Sequence, residues 1–216
     1  MSLLNLLYME IQDPIGNIKT LAIQPWEQLN RALALQNALE TSKSDEARDA
    51  GRLALAIRNL AVDLGLDIRD LAANSNDWTL LTAVADASKV RLLSSASRRT
   101  TLAVSAHFET DGNGRYSFIN NRIMIVHPTA GSIDFMPTAA NAIEFLIAKL
   151  GLDIDWTPKI LEGPPKFGPA VELDAGPDPD RMIEMLQVRF LKRDPDGELV
   201  MFQPAEWQLE LKSNGG

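Results

Sequence analysis

The chain contains no cysteine and only two histidines in 216 residues. Without cysteine there is no disulfide framework, no thiolate zinc or iron–sulfur site and no thiol nucleophile. Long apolar runs are also missing. No stretch of about 18 apolar residues exists to span a bilayer, and the short run at residues 1–8 has no basic residue before it, which reads against a signal peptide. These absences lead to the expectation of a cytoplasmic protein without membrane association. Positive charge is scarce where it would matter for nucleic acid. The formal net charge is −8, and the two halves differ: residues 1–100 hold 11 Lys+Arg against 12 Asp+Glu, residues 101–216 hold 10 against 17. An acidic half repels a phosphate backbone, which disfavours nucleic acid as a partner.

What is present fits a globular chain, with 45% hydrophobic and 23% charged residues. Such a length buries enough surface to fold without a staple and suits a single domain over 1–216, with a subdivision into a mainly helical part, 1–97, and a mainly β part, 98–216. No proline occurs between Pro25 and Pro128, whereas six of the twelve fall between Pro158 and Pro179. The first region therefore accommodates long helices and the second does not.

Residues 3–23 read as two short strands around the turn-forming residues 12–17. From Pro25 the period becomes helical: Trp26, Leu29, Leu33 and Leu39 share a face. A second helix starts at Ser44 as N-cap, carries Ala50, Leu53, Ile57, Leu60 and Leu64, and stops at Gly65. A short helix follows near 67–73, and Asp77 is expected to cap a further one. Over 100–127 apolar and polar residues alternate on both sides of Asp111-Gly112-Asn113-Gly114, the pattern of a β-hairpin. A turn over 111–114 would set His107 opposite Phe118. A helix is expected over 137–150, with Pro137 in its first turn and Gly151 after its end. The segment 157–181 reads as an extended crossover, docked through Ile160, Leu161, Phe167, Val171 and Leu173. Strands are expected over 170–173, 183–191, 198–202 and 207–211. The sum is an α+β fold: an antiparallel sheet of N-terminal strands, central hairpin and C-terminal strands, with a helical insertion at 25–95 and a further helix at 137–150.

Several clusters carry chemistry in principle. Glu109, Asp111 and Asn113 followed by Gly114 match the first ligand positions of a calcium loop, but position 12 is Asn120, and a plain hairpin turn uses the same residues. Pro195-Asp196, followed by Glu210-Leu211-Lys212, resembles the PD-(D/E)xK pattern of metal-dependent nucleases. That resemblance implies Asp196 and Glu210 as magnesium ligands and Lys212 as the catalytic lysine; the Asp-Pro-Asp-Gly run also serves a turn. Asp174, Asp178 and Asp180 form an acidic loop, and Lys89, Arg91, Arg98 and Arg99 a basic cluster. The terminal Gly215-Gly216 resembles the tail of ubiquitin-like modifiers, whose size and fold differ from those read here. The histidines, His107 and His127, lack metal-ligand spacing.

Apolar surface gives the leading expectation. Tryptophans stand in four different elements, five of seven methionines lie in the second half, and Trp207, Leu209 and Leu211 alternate with polar residues on a terminal strand. This pattern points to a non-catalytic interaction protein, an accessory or structural subunit that binds a protein partner or a second copy of itself and needs no cofactor. The alternatives are a divalent-metal nuclease or hydrolase, and a small-molecule or nucleotide sensor.

Overall fold

The computed structural model describes residues 13–35, 45–89, 100–175 and 187–213. Its elements are α1 (Pro14–Ile18), a π-helical turn (Lys19–Ile23), α2 (Gln24–Leu35), α3 (Asp45–Asp63), α4 (Ile68–Asn74), α5 (Asn76–Lys89), β1 (Thr101–Thr110), β2 (Tyr116–His127), β3 (Gly131–Asp134), α6 (Phe135–Lys149), β4 (Val171–Ala175), β5 (Val188–Arg193), β6 (Leu199–Phe202) and β7 (Leu209–Ser213). The fold is mixed α+β. A five-stranded, mostly antiparallel sheet has the order β3-β2-β1-β5-β6, and β4 and β7 form a separate two-stranded sheet.

Two expectations are corrected. Of the N-terminal strands, 18–23 is helical, and 3–11 lies outside the described residues. Asp13 and Pro14 start a helix here rather than a turn: the Asp13 side chain accepts from the Gly16 N–H at 2.8 Å, and Pro14 occupies the first turn, where no donor is missed. The buried residues Ile18, Ala22, Trp26, Leu29 and Leu33 recur every three or four positions, so one helical face runs straight across Pro25. An interior proline clashes with the carbonyl four residues back. The π turn lies immediately before Pro25, with the Gln24 N–H donating to the Lys19 carbonyl. The second correction concerns strand direction. β5 runs parallel to β1, pairing His107 with Arg189 and Phe108 with Phe190, and β7 runs parallel to β4. Alternation reveals that a strand exists but not which way its neighbour runs, and both parallel pairs join strands distant in sequence.

The chain divides into two compact units. The first comprises Met1–Leu29, Arg48–Leu102 and Ile125–Ile160. Its core is helical: Ile57, Leu60, Leu71, Trp78, Leu81, Phe135 and Ile143 are all fully or almost fully buried. Trp26 meets Trp156 edge-on at 5.4 Å between ring centroids, and its indole N–H donates to the Met136 carbonyl at 2.9 Å. Helix ends are closed by side chains or by glycine. Asp67 caps α4, and Asp134 caps α6, which therefore starts two residues before the expected 137. Ser75, not Asp77, caps α5, accepting from the Trp78 N–H at 3.1 Å, while Asp77 accepts from Asn141. After α3 and α6 the chain turns through Gly65 and Gly151, at φ +75° and +63°. The next N–H reaches back in each case, Leu66 to Ala61 and Leu152 to Ile147, closing the last helical turn.

The second unit comprises Asn30–Ala47, Ala103–Met124 and Leu161–Gly216. Its apolar centre is Ala106, Phe108, Tyr116, Val171, Leu173 and Phe190, with Phe118, Val188, Phe202 and Leu209 packed against it. The hairpin closes through the Asp111 N–H donating to the Arg115 carbonyl, one residue later than expected. The Phe118 ring accordingly meets Phe108, at 5.6 Å. The proline-rich segment is a strap laid along β2. Gly163 donates to the Ile119 carbonyl at 2.6 Å, and Tyr116 and Gly168 exchange two hydrogen bonds of 2.8 Å. A Cβ on Gly163 would stand 3.0 Å from the carbonyl oxygens of both Ala34 and Ile119, so a larger residue would press these backbone oxygens aside.

Candidate functional site

The β1–β2 and β5–β6 turns are each built around one aspartate. Asp111 Oδ1 accepts from the N–H groups of Asn113 and Arg115, at 2.8 and 3.2 Å. Asp194 Oδ1 accepts from Asp196 and Glu198, at 3.0 and 2.9 Å, between β5 and β6. Such a carboxylate stands in for missing backbone partners and fixes the turn. Of the calcium-loop residues, Asp111 is engaged in this way, Asn113 lies exposed in the turn, and Glu109 pairs with Arg193 at 3.1 Å. Arg193 also reaches Glu162 at 3.2 Å, and the two carboxylates, Glu109 foremost, hold its guanidinium more firmly charged than usual.

Asp196 is exposed in the β5–β6 turn of the five-stranded sheet, whereas Glu210 and Lys212 belong to β7 of the two-stranded sheet, in register with Glu172 and Asp174. Among the described residues, no three His, Asp or Glu side chains converge as a metal-ligand set. Arg91, Arg98, Arg99, Asp178, Asp180 and the terminal diglycine lie outside those residues. No helix among the described residues is long and apolar enough to cross a membrane.

Strand alternation places Ser105, His107 and Glu109 on the face of β1 opposite the aromatic centre. Ser105 and His107 are 1% and 4% exposed, and Ser105 Oγ lies 2.9 Å from His107 Nε2. Nδ1 has no hydrogen-bond partner among the described residues. Burial, aided by the Arg122 and Arg189 guanidiniums, pushes the His107 pKa down from 6.5 to about 3. The imidazole is therefore neutral at physiological pH. His127 does a different job, its Nδ1 accepting from the Ala130 N–H at 3.2 Å in the β2–β3 turn. The Ser-x-His spacing on an alternating strand is the sequence signal for the Ser105–His107 pair, a signal that metal-ligand spacing does not contain.

The C-terminal apolar residues differ in surroundings. Leu209 packs against the unit's own core. Leu211 lies on β7, in register with Leu173. Trp207 is 41% exposed and rests edge-on against Phe190, centroids 5.2 Å apart. The Tyr116 hydroxyl donates to the Glu206 carbonyl at 3.0 Å and so anchors the segment before it. Trp207 lines an open groove of about 670 Å³ with Gly114, Tyr116, Pro169, Ala205 and Gln208. Phe190 in turn pairs with Phe202 on β6, the outermost strand of the five-stranded sheet, where Met201 is 63% exposed. Sequence periodicity did not single out Met201, because exposure of an edge strand depends on which strand ends the sheet. Set against models of protein families, curated proteins and solved structures, the chain matches none.

Proposed function

We propose that this chain is a non-catalytic protein-binding subunit that holds its partner through the surface around Trp207. The observation that carries the reading is Trp207 itself. It is a large ring, half-exposed, backed by Phe190 and beside an open groove. Tryptophan backed by a fixed wall is the side chain most enriched among residues that dominate binding energy. The neighbouring edge strand supports the same reading, because β6 ends the five-stranded sheet among the described residues and exposes Val200 and Met201. The partner is another protein of the assembly or a second copy of this chain.

The test is sedimentation of the native chain over a wide concentration range, alone and with the proteins that co-purify from its source, beside Trp207→Ala. Association that Trp207→Ala weakens tenfold or more supports the reading, an effect of about 1.4 kcal/mol or larger. A monomer with no stoichiometric partner, or association indifferent to Trp207→Ala and Met201→Lys, overturns it.

A further inference from the structure

A second cavity, of about 430 Å³, lies between the strap and the aromatic face of the sheet. That volume falls in the range of small-molecule sites. Its walls include the rings of Phe108, Tyr116, Phe118 and Phe167, with Pro164 and Leu35 beside them. The walls are held in place before any ligand arrives. Phe108 and Phe118 fix each other edge-on, the Lys166 N–H donates to Ser117 Oγ at 2.7 Å, and Gly168 is bonded twice to Tyr116. Two of the lining residues carry charge, Lys166 and Glu172. They are not equivalent. Glu172 carries an interaction of its own, whereas among the described residues the exposed Lys166 ammonium has neither hydrogen bond nor ion pair. The uncompensated charge at this cavity is therefore positive.

We infer that this cavity binds a small aromatic carboxylate, its ring stacked among Phe118, Phe167 and Tyr116 and its carboxylate on Lys166. Aromatic walls favour a flat ring in offset or edge-on contact, which an alkyl chain cannot match. Among the described residues lining the cavity, the unpaired cation is Lys166, and it selects one negative charge. The chain's net charge of −8 does not reverse this choice, since distant charges are screened beyond about 8 Å at physiological ionic strength.

The experiment is a titration of the full chain with 2-naphthylacetate, followed by calorimetry and amide chemical shifts. The same titration with 2-(2-naphthyl)ethylamine matches the ring and inverts the charge. Saturable binding of the carboxylate is expected, with a dissociation constant on the order of 0.1 mM, and with shifts at Phe118, Lys166 and Phe167. Lys166→Glu is expected to weaken it at least tenfold, Lys166→Arg to preserve it, and Lys192→Glu, over the Phe202 ring on β6, to leave it unchanged. Trp207→Ala leaves it intact, because this site and the protein-binding surface fail separately. No saturation by about 10 mM, equal binding of the amine, or binding indifferent to Lys166→Glu overturns the assignment. The two Lys166 variants change an exposed side chain, so circular dichroism is expected to match the native chain in both.

Discussion

The two units bury different things. In the helical unit the described interior is almost wholly apolar, and its buried polar residues are Thr100 and Thr138. The β unit buries Asn30, Glu46, Ser105, His107, Thr110, Ser117, Asn120 and Asn121. The difference follows from how each satisfies its backbone. Helices pair their own N–H and C=O groups and need help only at their ends, which Asp67, Ser75, Asp134, Gly65 and Gly151 supply. An irregular strap has no such internal partners. Here side chains substitute: Asn30 accepts from the Leu161 N–H at 3.1 Å, Asn120 donates to the Leu161 carbonyl at 3.0 Å, and Ser117 receives Lys166. Part of the buried polarity in this unit, Asn30, Ser117 and Asn120, is thus the consequence of using an irregular segment to cover a strand.

The largest effect that tests the contrast is truncation of a tryptophan. Trp26 is 2% exposed and Trp207 41%. Trp26→Ala is expected to cost about 3–5 kcal/mol, through the emptied volume and the orphaned Met136 carbonyl. Trp207→Ala is expected to cost under about 1 kcal/mol while altering association. Denaturant melts of both variants check this, and equal costs would erase the distinction between core and surface tryptophan.

Acid is the next lever, and it acts on the β unit. Folded His107 takes a proton only near pH 3, whereas in the unfolded chain it does so near 6.5. Between these values the unfolded state binds more protons. Stability contributed by the neutral imidazole is therefore complete above about pH 6.5 and is lost as pH falls toward 3, by at most about 1.4 kcal/mol per pH unit. Chemical denaturation of native and His107→Asn chains at pH 7, 5.5 and 4 is expected to show the native chain losing more stability. Parallel profiles would mean that the imidazole takes up a proton without penalty.

The smallest effect concerns the strap. Ser117→Ala removes the acceptor of the Lys166 N–H and is expected to cost about 1 kcal/mol. Hydrogen exchange at Lys166 should accelerate, while amides of α3 in the helical unit stay protected. Exchange unchanged at Lys166 would show that apolar packing alone holds the strap.

Much of the architecture was legible in local pattern. The face Ala50, Leu53, Ile57, Leu60, the stops at Gly65 and Gly151, and the hairpin around Asp111-Gly112-Asn113-Gly114 all appear where the sequence puts them. Residues 18–23 read as a strand because turn-forming residues 12–17 and Pro25 bracket a short apolar-rich run, yet Ile18, Ala22 and Trp26 continue one helical spacing. The candidate sites were less legible. Lys166 and Phe167 line one cavity with Phe118, which lies far from them in sequence.

The sequence by itself determined the local devices, because caps, turns and amphipathic faces are set by residues within a few positions of one another: Asp13 before Pro14, Asp134 before α6, the aspartates of the two hairpin turns. Only the tertiary structure decided that β5 lies parallel beside β1, that the strap runs along β2, and that Lys166 shares a cavity with four aromatic residues and has no ion pair among the described residues. Those outcomes depend on contacts between distant segments, where loop closure leaves many pairings open and packing selects one.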